Sequence, residues 1–122
     1  MRRKDGTLTG QELEIMKIVW ERESSTVRDV YEALLERRKV AYTTVMTMMK
    51  ILERKGYLTK EAADKAHLYR PAQPQHQVVK AMVREFLGRV FNGSAEPLLV
   101  HLVEDQKLDR KDLEELQRLL EK

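Results

Sequence analysis

The chain has 122 residues, of which 42% are hydrophobic and 35% charged, so it can form one ordinary domain or two small ones of a globular protein. It contains no cysteine, which excludes disulfides and thiolate metal or redox sites and is typical of a cytoplasmic protein. Residues 1–74 have 15 Lys and Arg against 11 Asp and Glu, net +4, while residues 75–122 have 8 against 9, net −1, so we expect a polyanionic partner for the first part only.

Two capping boxes mark the first two helices. Thr9 with Glu12, and Thr26 with Asp29, have the spacing at which an N-cap hydroxyl and a carboxylate satisfy each other's backbone amides. Apolar residues follow each box at helical spacing. In helix 1 they are Leu13, Met16, Val19 and Trp20, and in helix 2 they are Val27, Val30, Tyr31, Leu34 and Leu35. A basic run, residues 37–39, ends the second pattern.

The third helix, Ala41 to Gly56, has two chemically different faces. Successive residues lie 100° apart, which places Val45, Met48 and Leu52 on a core side with Met49 beside them. The opposite side is polar and basic and carries no acidic residue. It consists of Thr43, Thr47, Lys50 and Arg54. Threonines can meet base edges while Lys and Arg reach phosphates or guanine acceptors, so this helix is predicted to read DNA.

After Gly56 the hydrophobic period changes to two. Residues 57–62 and 66–71 are predicted to form two strands of a hairpin, with Lys60, Lys65 and Arg70 on its outside. Three helices followed by a basic hairpin is the order of a winged helix-turn-helix, whose wing grips the DNA backbone beside the reading helix. The predicted fold is therefore mainly α with a small β-wing. Residues 1–74 form the DNA-binding domain, and residues 71–74 act as a stiff joint.

The last 48 residues predict three more helices, over 75–91, 95–104 and 110–121. Their apolar stripes are wider than so small a unit can cover by itself, and neither disulfide nor metal is available to stabilise it. We therefore predict that residues 75–122 are a three-helix dimerisation domain. The expected interface consists of Val79, Met82, Val83, Phe86, Leu87, Val90, Leu99, Leu102, Leu116 and Leu120.

Several segments together resemble one known family. LTGQELEIMKIVW, TVRDVYEALLERR, AYTTVMTMMKILERKGYL and the hairpin end HLYRP resemble the penicillinase and methicillin-resistance repressors of the BlaI/MecI type, and the C-terminal helices match more loosely. The resemblance implies a homodimeric repressor that binds a palindromic operator of β-lactam-resistance or related stress genes. It also adds Thr44 to the base-contacting residues. The expected DNA-binding set is Tyr42, Thr43, Thr44, Thr47, Lys50, Arg54, Lys65 and Arg70.

Two departures from the family concern the inducing signal. Copper-responsive relatives carry a C-terminal cysteine motif, which this chain lacks, so copper sensing of that type is not expected. Many β-lactam-responsive members are inactivated when a membrane sensor protease causes cleavage at an Asn-Phe bond. The aligned residues here are His101 and Leu102, the expected cleavage position if a sensor protease is a partner. A ligand-responsive regulator without proteolysis remains an alternative.

Other function classes have less support in the sequence. His67, His76 and His101 are scattered, and no catalytic motif is present, so we expect no enzyme, cofactor or metal site. The methionines of helix 3 are better explained by core packing than by metal binding. A winged-helix protein-interaction module remains open, although the polar outer face of helix 3 favours DNA. The longest apolar run is only residues 98–100, so neither membrane insertion nor a signal peptide is expected.

Overall fold

A computed structural model describes the backbone of residues 8–63, 66–105 and 109–120; in the last range the side chains at 113, 116, 117, 119 and 120 lie outside the description. The fold class is confirmed: six helices and one two-stranded antiparallel wing occur in these ranges. Contacts divide the chain into two compact units, Met1–Val79 and Lys80–Lys122. The division after residue 74 stays a prediction. The elements are α1 (Gly10–Arg22), α2 (Val27–Leu35), α3 (Tyr42–Arg54), β1 (Leu58–Ala63), β2 (Ala66–Pro71), α4 (Gln75–Phe91), α5 (Glu96–Asp105) and α6 (Arg110–Leu120).

Both predicted capping boxes are formed. The Glu12 amide donates to Thr9 Oγ1 at 3.1 Å, and the Thr9 amide donates to Glu12 Oε1 at 3.0 Å. Thr26 and Asp29 exchange the same two bonds at 3.0 and 3.1 Å. Each box satisfies two amides that the first helical turn cannot, which explains why α1 and α2 begin where the sequence predicts.

The buried stripe of α1 differs from the predicted one. Met16 and Val19 are buried as expected, but Ile15 and Ile18 are buried with them, while Leu13 and Trp20 are only half-buried. The physical reason is that α1 packs against α2, α3 and β2, so its apolar stripe is wider than one neighbour requires and is turned toward the Ile15 side.

The core side of α3 is also shifted by one residue. Val45, Met49 and Leu52 are fully buried, at i, i+4 and i+7, whereas the predicted core residue Met48 is half-buried. Met48 and Met49 lie 100° apart on the helix, so a small rotation of α3 toward α1 and α2 exchanges them. The prediction that the threonine and basic side is the opposite side is unaffected.

The wing continues directly from the end of α3. Gly56 has φ of +91°, and the Tyr57 amide donates to Leu52 O at 2.9 Å, which closes the helix and delays β1 to Leu58, one residue after the predicted start. The strands pair from Leu58 opposite Pro71 to Ala63 opposite Ala66. Leu58 and Tyr69 are buried, so the base of the hairpin belongs to the core.

The segment after the wing is tied to the first unit. The indole of Trp20 donates to Gln73 O at 2.9 Å, and the Gln73 carboxamide donates to Gly56 O at 3.0 Å. The Ala72 amide donates to Tyr57 O at 2.8 Å, and Val78 in the first turn of α4 is buried. These contacts explain why the first unit extends to Val79.

The helices of the second unit lie close to their predicted ranges. α4 has the predicted bounds, and α5 begins and ends one residue later than expected. Two aspartates cap the start of α6: the Asp112 amide donates to Asp109 Oδ1 at 2.9 Å and the Asp109 amide to Asp112 Oδ2 at 3.3 Å. Among the described residues, no helix is both long and apolar enough to cross a membrane.

Candidate nucleic-acid interface

The outer side of α3 is a solvent-exposed surface of hydroxyl and basic groups. Its exposed residues alternate with the buried Val45, Met49 and Leu52, so the two sides are separated as helical spacing requires. The first turn of α3 contains no acidic residue. Exposed on this helix are Tyr42, Thr43, Thr44, Thr47, Lys50 and Arg54, six of the eight residues expected to contact DNA.

The first turn of α3 is flanked by side chains of α2. The N-cap residue Ala41 makes no side-chain hydrogen bond, so the first amides are not capped by their own chain in that way. The Tyr42 ring packs edge-on against Tyr31 at 5.4 Å between centroids, and the Arg28 guanidinium carbon lies 6.0 Å from the Tyr42 centroid. Arg28 was missed by sequence reasoning because only the packing of α2 on α3 brings it beside the reading helix.

Both described basic residues of the wing lie beside acidic groups. Lys60 Nζ lies 3.7 Å from Glu53 Oε1 of α3, and Arg70 Nε lies 2.8 Å from Glu61 Oε1. The register places Lys60 opposite the buried Tyr69, on the side of the hairpin that faces the core and not on the predicted outer side, whereas Arg70 lies on the outer side. Lys65 lies outside the described residues.

Tyr69 is a buried titratable group at the base of the wing. Burial raises the pKa of its hydroxyl above the usual value, the Lys60 ammonium lowers that pKa by less, and the Glu53 carboxylate adds a smaller increase. The phenol is therefore kept neutral by its surroundings, as suits a buried side chain of β2, the strand that contacts α1.

The second unit exposes many of the apolar side chains expected in a dimer interface. Met82, Leu87 and Leu102 are half-buried, and the side chains of Leu116 and Leu120 lie outside the described residues. Val79 is exposed but belongs by its contacts to the first unit. The exposed interface candidates of the second unit are Val83, Phe86, Val90 and Leu99, and Val100 and Val103 are exposed as well.

The expected cleavage position lies inside α5. The His101 side chain is 66% exposed, its Nδ1 lies 3.2 Å from Asp105 Oδ2, and its ring lies 6.2 Å from the Phe91 ring. Leu102 is half-buried. Because the peptide bond between His101 and Leu102 is part of a helix, a protease would need local opening of α5 to reach it in an extended conformation.

The three histidines lie on three different elements: His67 on β2, His76 in the first turn of α4, and His101 in α5. In the described part of the chain, no group of three or more His, Cys, Asp or Glu side chains is arranged to hold a metal ion.

Comparison with known proteins gives consistent results for sequence and structure. The family model of the penicillinase repressor matches residues 8–122. A transcriptional regulator BlaI of Mycobacterium tuberculosis is 38% identical over 100 residues, which cover 80% of this chain and 72% of that protein. A methicillin resistance regulatory protein MecI of Staphylococcus aureus is 22% identical over 122 residues, 100% of this chain and 99% of that protein. The solution structure of the DNA binding domain of the repressor BlaI matches with a TM-score of 0.54 and 26% identity, covering 61% of this chain and 90% of that domain.

Proposed function

Because the chain belongs to the penicillinase repressor family of winged-helix transcriptional repressors, we propose that it acts as a homodimer on an inverted-repeat operator in double-stranded DNA. Family membership confirms the resemblance seen in the sequence and means that the chain is a DNA-binding regulator and not an enzyme. The observation that carries the operator proposal is the exposed hydroxyl and basic surface of α3.

Within that surface, roles follow from side-chain chemistry. Thr43, Thr44 and Thr47 contact bases or the adjacent backbone, because their short side chains bring a hydroxyl and a methyl group to the groove floor. Five residues with longer side chains position the phosphates and carry little sequence information. They are Tyr42, Lys50, Arg54, Lys65 and Arg70.

The exposed apolar surface of the second unit supports the homodimer. The apolar side chains of Phe86, Val90 and Leu99 are all exposed in the single chain. A second copy that covers them removes this apolar surface from water, which favours association. Two-fold symmetry then requires an inverted repeat with half-site centres about one helical turn, or a multiple, apart. Losing the dimer would forfeit the avidity of linked half-site binding.

The names of the relatives support a proposal for the regulated genes. Because related proteins are named for penicillinase and methicillin resistance, this chain represses β-lactam-resistance or related stress genes. Release occurs through cleavage between His101 and Leu102 by a sensor protease whose specificity differs from one that demands Asn-Phe. Detaching α6 would remove part of the dimer's apolar surface. Mass spectrometry of the repressor from induced cells tests this: an intact chain at full derepression would instead support release by a ligand.

A salt titration tests DNA binding itself. The dissociation constant of a 30-base-pair duplex is measured by fluorescence anisotropy at several salt concentrations. We expect log affinity to fall linearly with log salt, with a slope of about −0.9 for each neutralised phosphate. A protein-interaction module, the alternative use of this fold, would show no such slope with DNA.

A further inference from the structure

The outer side of the wing carries an ion pair where a DNA-binding hairpin would be expected to offer a free cation. Arg70 Nε and Glu61 Oε1 lie 2.8 Å apart, and their side chains are 52% and 55% exposed. In the register Arg70 is opposite Thr59 and Glu61 is opposite Leu68, so the two are diagonal neighbours on one side of the hairpin. Their contact is thus a product of the strand register.

The distance is that of a hydrogen-bonded ion pair, but the exposure of both side chains makes the pair weak. Exposed ion pairs contribute little because water screens the charges and ordering two long side chains costs entropy. A DNA phosphate offers the guanidinium an equivalent anion, whose two non-bridging oxygens can accept as the carboxylate oxygens do. Arg70 can therefore exchange Glu61 for phosphate at small net cost.

The other described cation of the wing is in a similar position. Lys60 lies 3.7 Å from Glu53 of α3, so each described basic residue of the hairpin has a carboxylate within reach. The described part of the wing therefore adds little net positive charge to the surface beside α3. That part of the wing contributes to duplex binding only if Lys60 and Arg70 leave these carboxylates and bind DNA phosphates instead.

We infer that Glu61 competes with DNA phosphate for Arg70 and so sets how strongly the wing binds any duplex. It lowers affinity for any duplex, because the ion pair with Glu61 must break before Arg70 can bind a phosphate. The inference rests on the proposed DNA-binding function and adds a residue to it. Phosphate contacts supply affinity without sequence information, so a competitor for one of them lowers specific and non-specific binding alike.

A double-mutant cycle separates this competition from general repulsion between Glu61 and DNA. The probe is a labelled random-sequence duplex of 30 base pairs, and dissociation constants are measured from 50 to 200 mM salt for the wild type, Glu61→Gln, Arg70→Gln and the double variant. We expect Glu61→Gln to tighten binding about two- to fivefold and to steepen the salt slope by up to about 0.9, one phosphate. In the Arg70→Gln background, adding Glu61→Gln should neither tighten binding nor steepen the salt slope.

A matched control removes a carboxylate elsewhere in the same unit. Glu21→Gln, at an exposed position of α1, should leave the salt slope unchanged and should not depend on Arg70. Circular dichroism verifies that each variant is folded. We expect all of them to fold, because the side chains of Glu61 and Arg70 are about half exposed.

The outcomes are distinct. If Glu61→Gln tightens binding equally with and without Arg70, Glu61 acts only as a distant negative charge and the competition is refuted. If Glu61→Gln leaves duplex affinity unchanged, the inference is refuted as well. If the wild type shows no salt-dependent duplex binding at all, the proposed function fails, which is a different result from either.

Discussion

The dimer proposal leads to a quantitative prediction at Phe86, which is 39% exposed in the single chain. A phenylalanine contributes about 200 Å² of surface, so about 80 Å² remain for a second copy to cover. At about 25 cal/mol per Å², and allowing for the methyl group that alanine keeps, Phe86→Ala should cost about 1.5 kcal/mol per protomer. The symmetric dimer loses this twice, about 3 kcal/mol, which is roughly a hundredfold in its dissociation constant.

Sedimentation equilibrium over a range of protein concentrations measures that constant directly. Leu35→Ala is the matched control, because Leu35 is 42% exposed but lies on α2 in the first unit. It should leave the dimer constant unchanged. Phe86→Glu should yield monomers with strongly weakened operator affinity, since it places a charge in the interface.

Two results would refute the reasoning. An unchanged dimer constant in Phe86→Ala would show that Phe86 is not covered by the partner, and equal losses in Leu35→Ala would place the interface elsewhere. Phe86 also packs edge-on against Phe91 at 5.9 Å between centroids. A thermal unfolding curve is therefore needed to verify that the variant keeps its fold before the dimer constant is interpreted.

Three further predictions concern the first unit. Thr47→Ala should lower discrimination between operator and random duplex by about 1 to 3 kcal/mol, whereas Lys50→Ala should weaken both alike and flatten the salt slope by about 0.9, as measured by competition anisotropy. Lys55→Met should cost about 3 kcal/mol in urea unfolding, because Lys55 Nζ lies 2.8 Å from Glu12 Oε1 and their side chains are only 18% and 6% exposed. The Tyr69 hydroxyl should ionise above the usual tyrosine pKa of about 10 in a titration followed at 295 nm. Because its pKa is raised in the folded state, the stability it contributes is complete below the unfolded pKa of about 10 and is lost as pH rises through the folded pKa.

For each of these three predictions, one result would contradict it. Equal losses for Thr47→Ala on operator and random DNA would remove its base-reading role. The ion pair of Lys55 should matter more than an exposed one, so Arg28→Met, whose partner Glu32 lies at 3.4 Å, should cost less than about 1 kcal/mol. Equal losses of unfolding free energy in Lys55→Met and Arg28→Met would contradict the argument that burial makes the Lys55 ion pair the stronger one. Ionisation of the Tyr69 hydroxyl at or below its usual pKa of about 10 would contradict the argument that burial raises that pKa.

Features fixed by spacing along the chain could be predicted from the sequence. The boxes at Thr9 and Thr26 locate two helix starts because their hydrogen bonds span only three residues. The separation of Thr47 and Lys50 from the core side of α3 follows from helical geometry alone, and the change of period after Gly56 indicates the wing. The relation to a repressor family was also evident in such local segments.

Features that depend on where one element packs against another required the tertiary structure. The burial of Ile15 in place of Leu13, and of Met49 in place of Met48, depends on the rotation of each helix against its neighbours, which a helical wheel does not contain. Among the candidate contacts, Arg28 reaches the reading helix only through the packing of α2 on α3.

The wing shows the same difference most directly. The sequence by itself determined that Lys60 and Arg70 lie on a short hairpin after the reading helix, because alternation and turn residues are local properties. Only the strand register decided that Arg70 lies diagonal to Glu61, and only the packing of β1 on α3 brought Lys60 beside Glu53. The physical reason is that a side chain's partner is set by distances across the fold, so charges counted as free along the chain become paired in three dimensions.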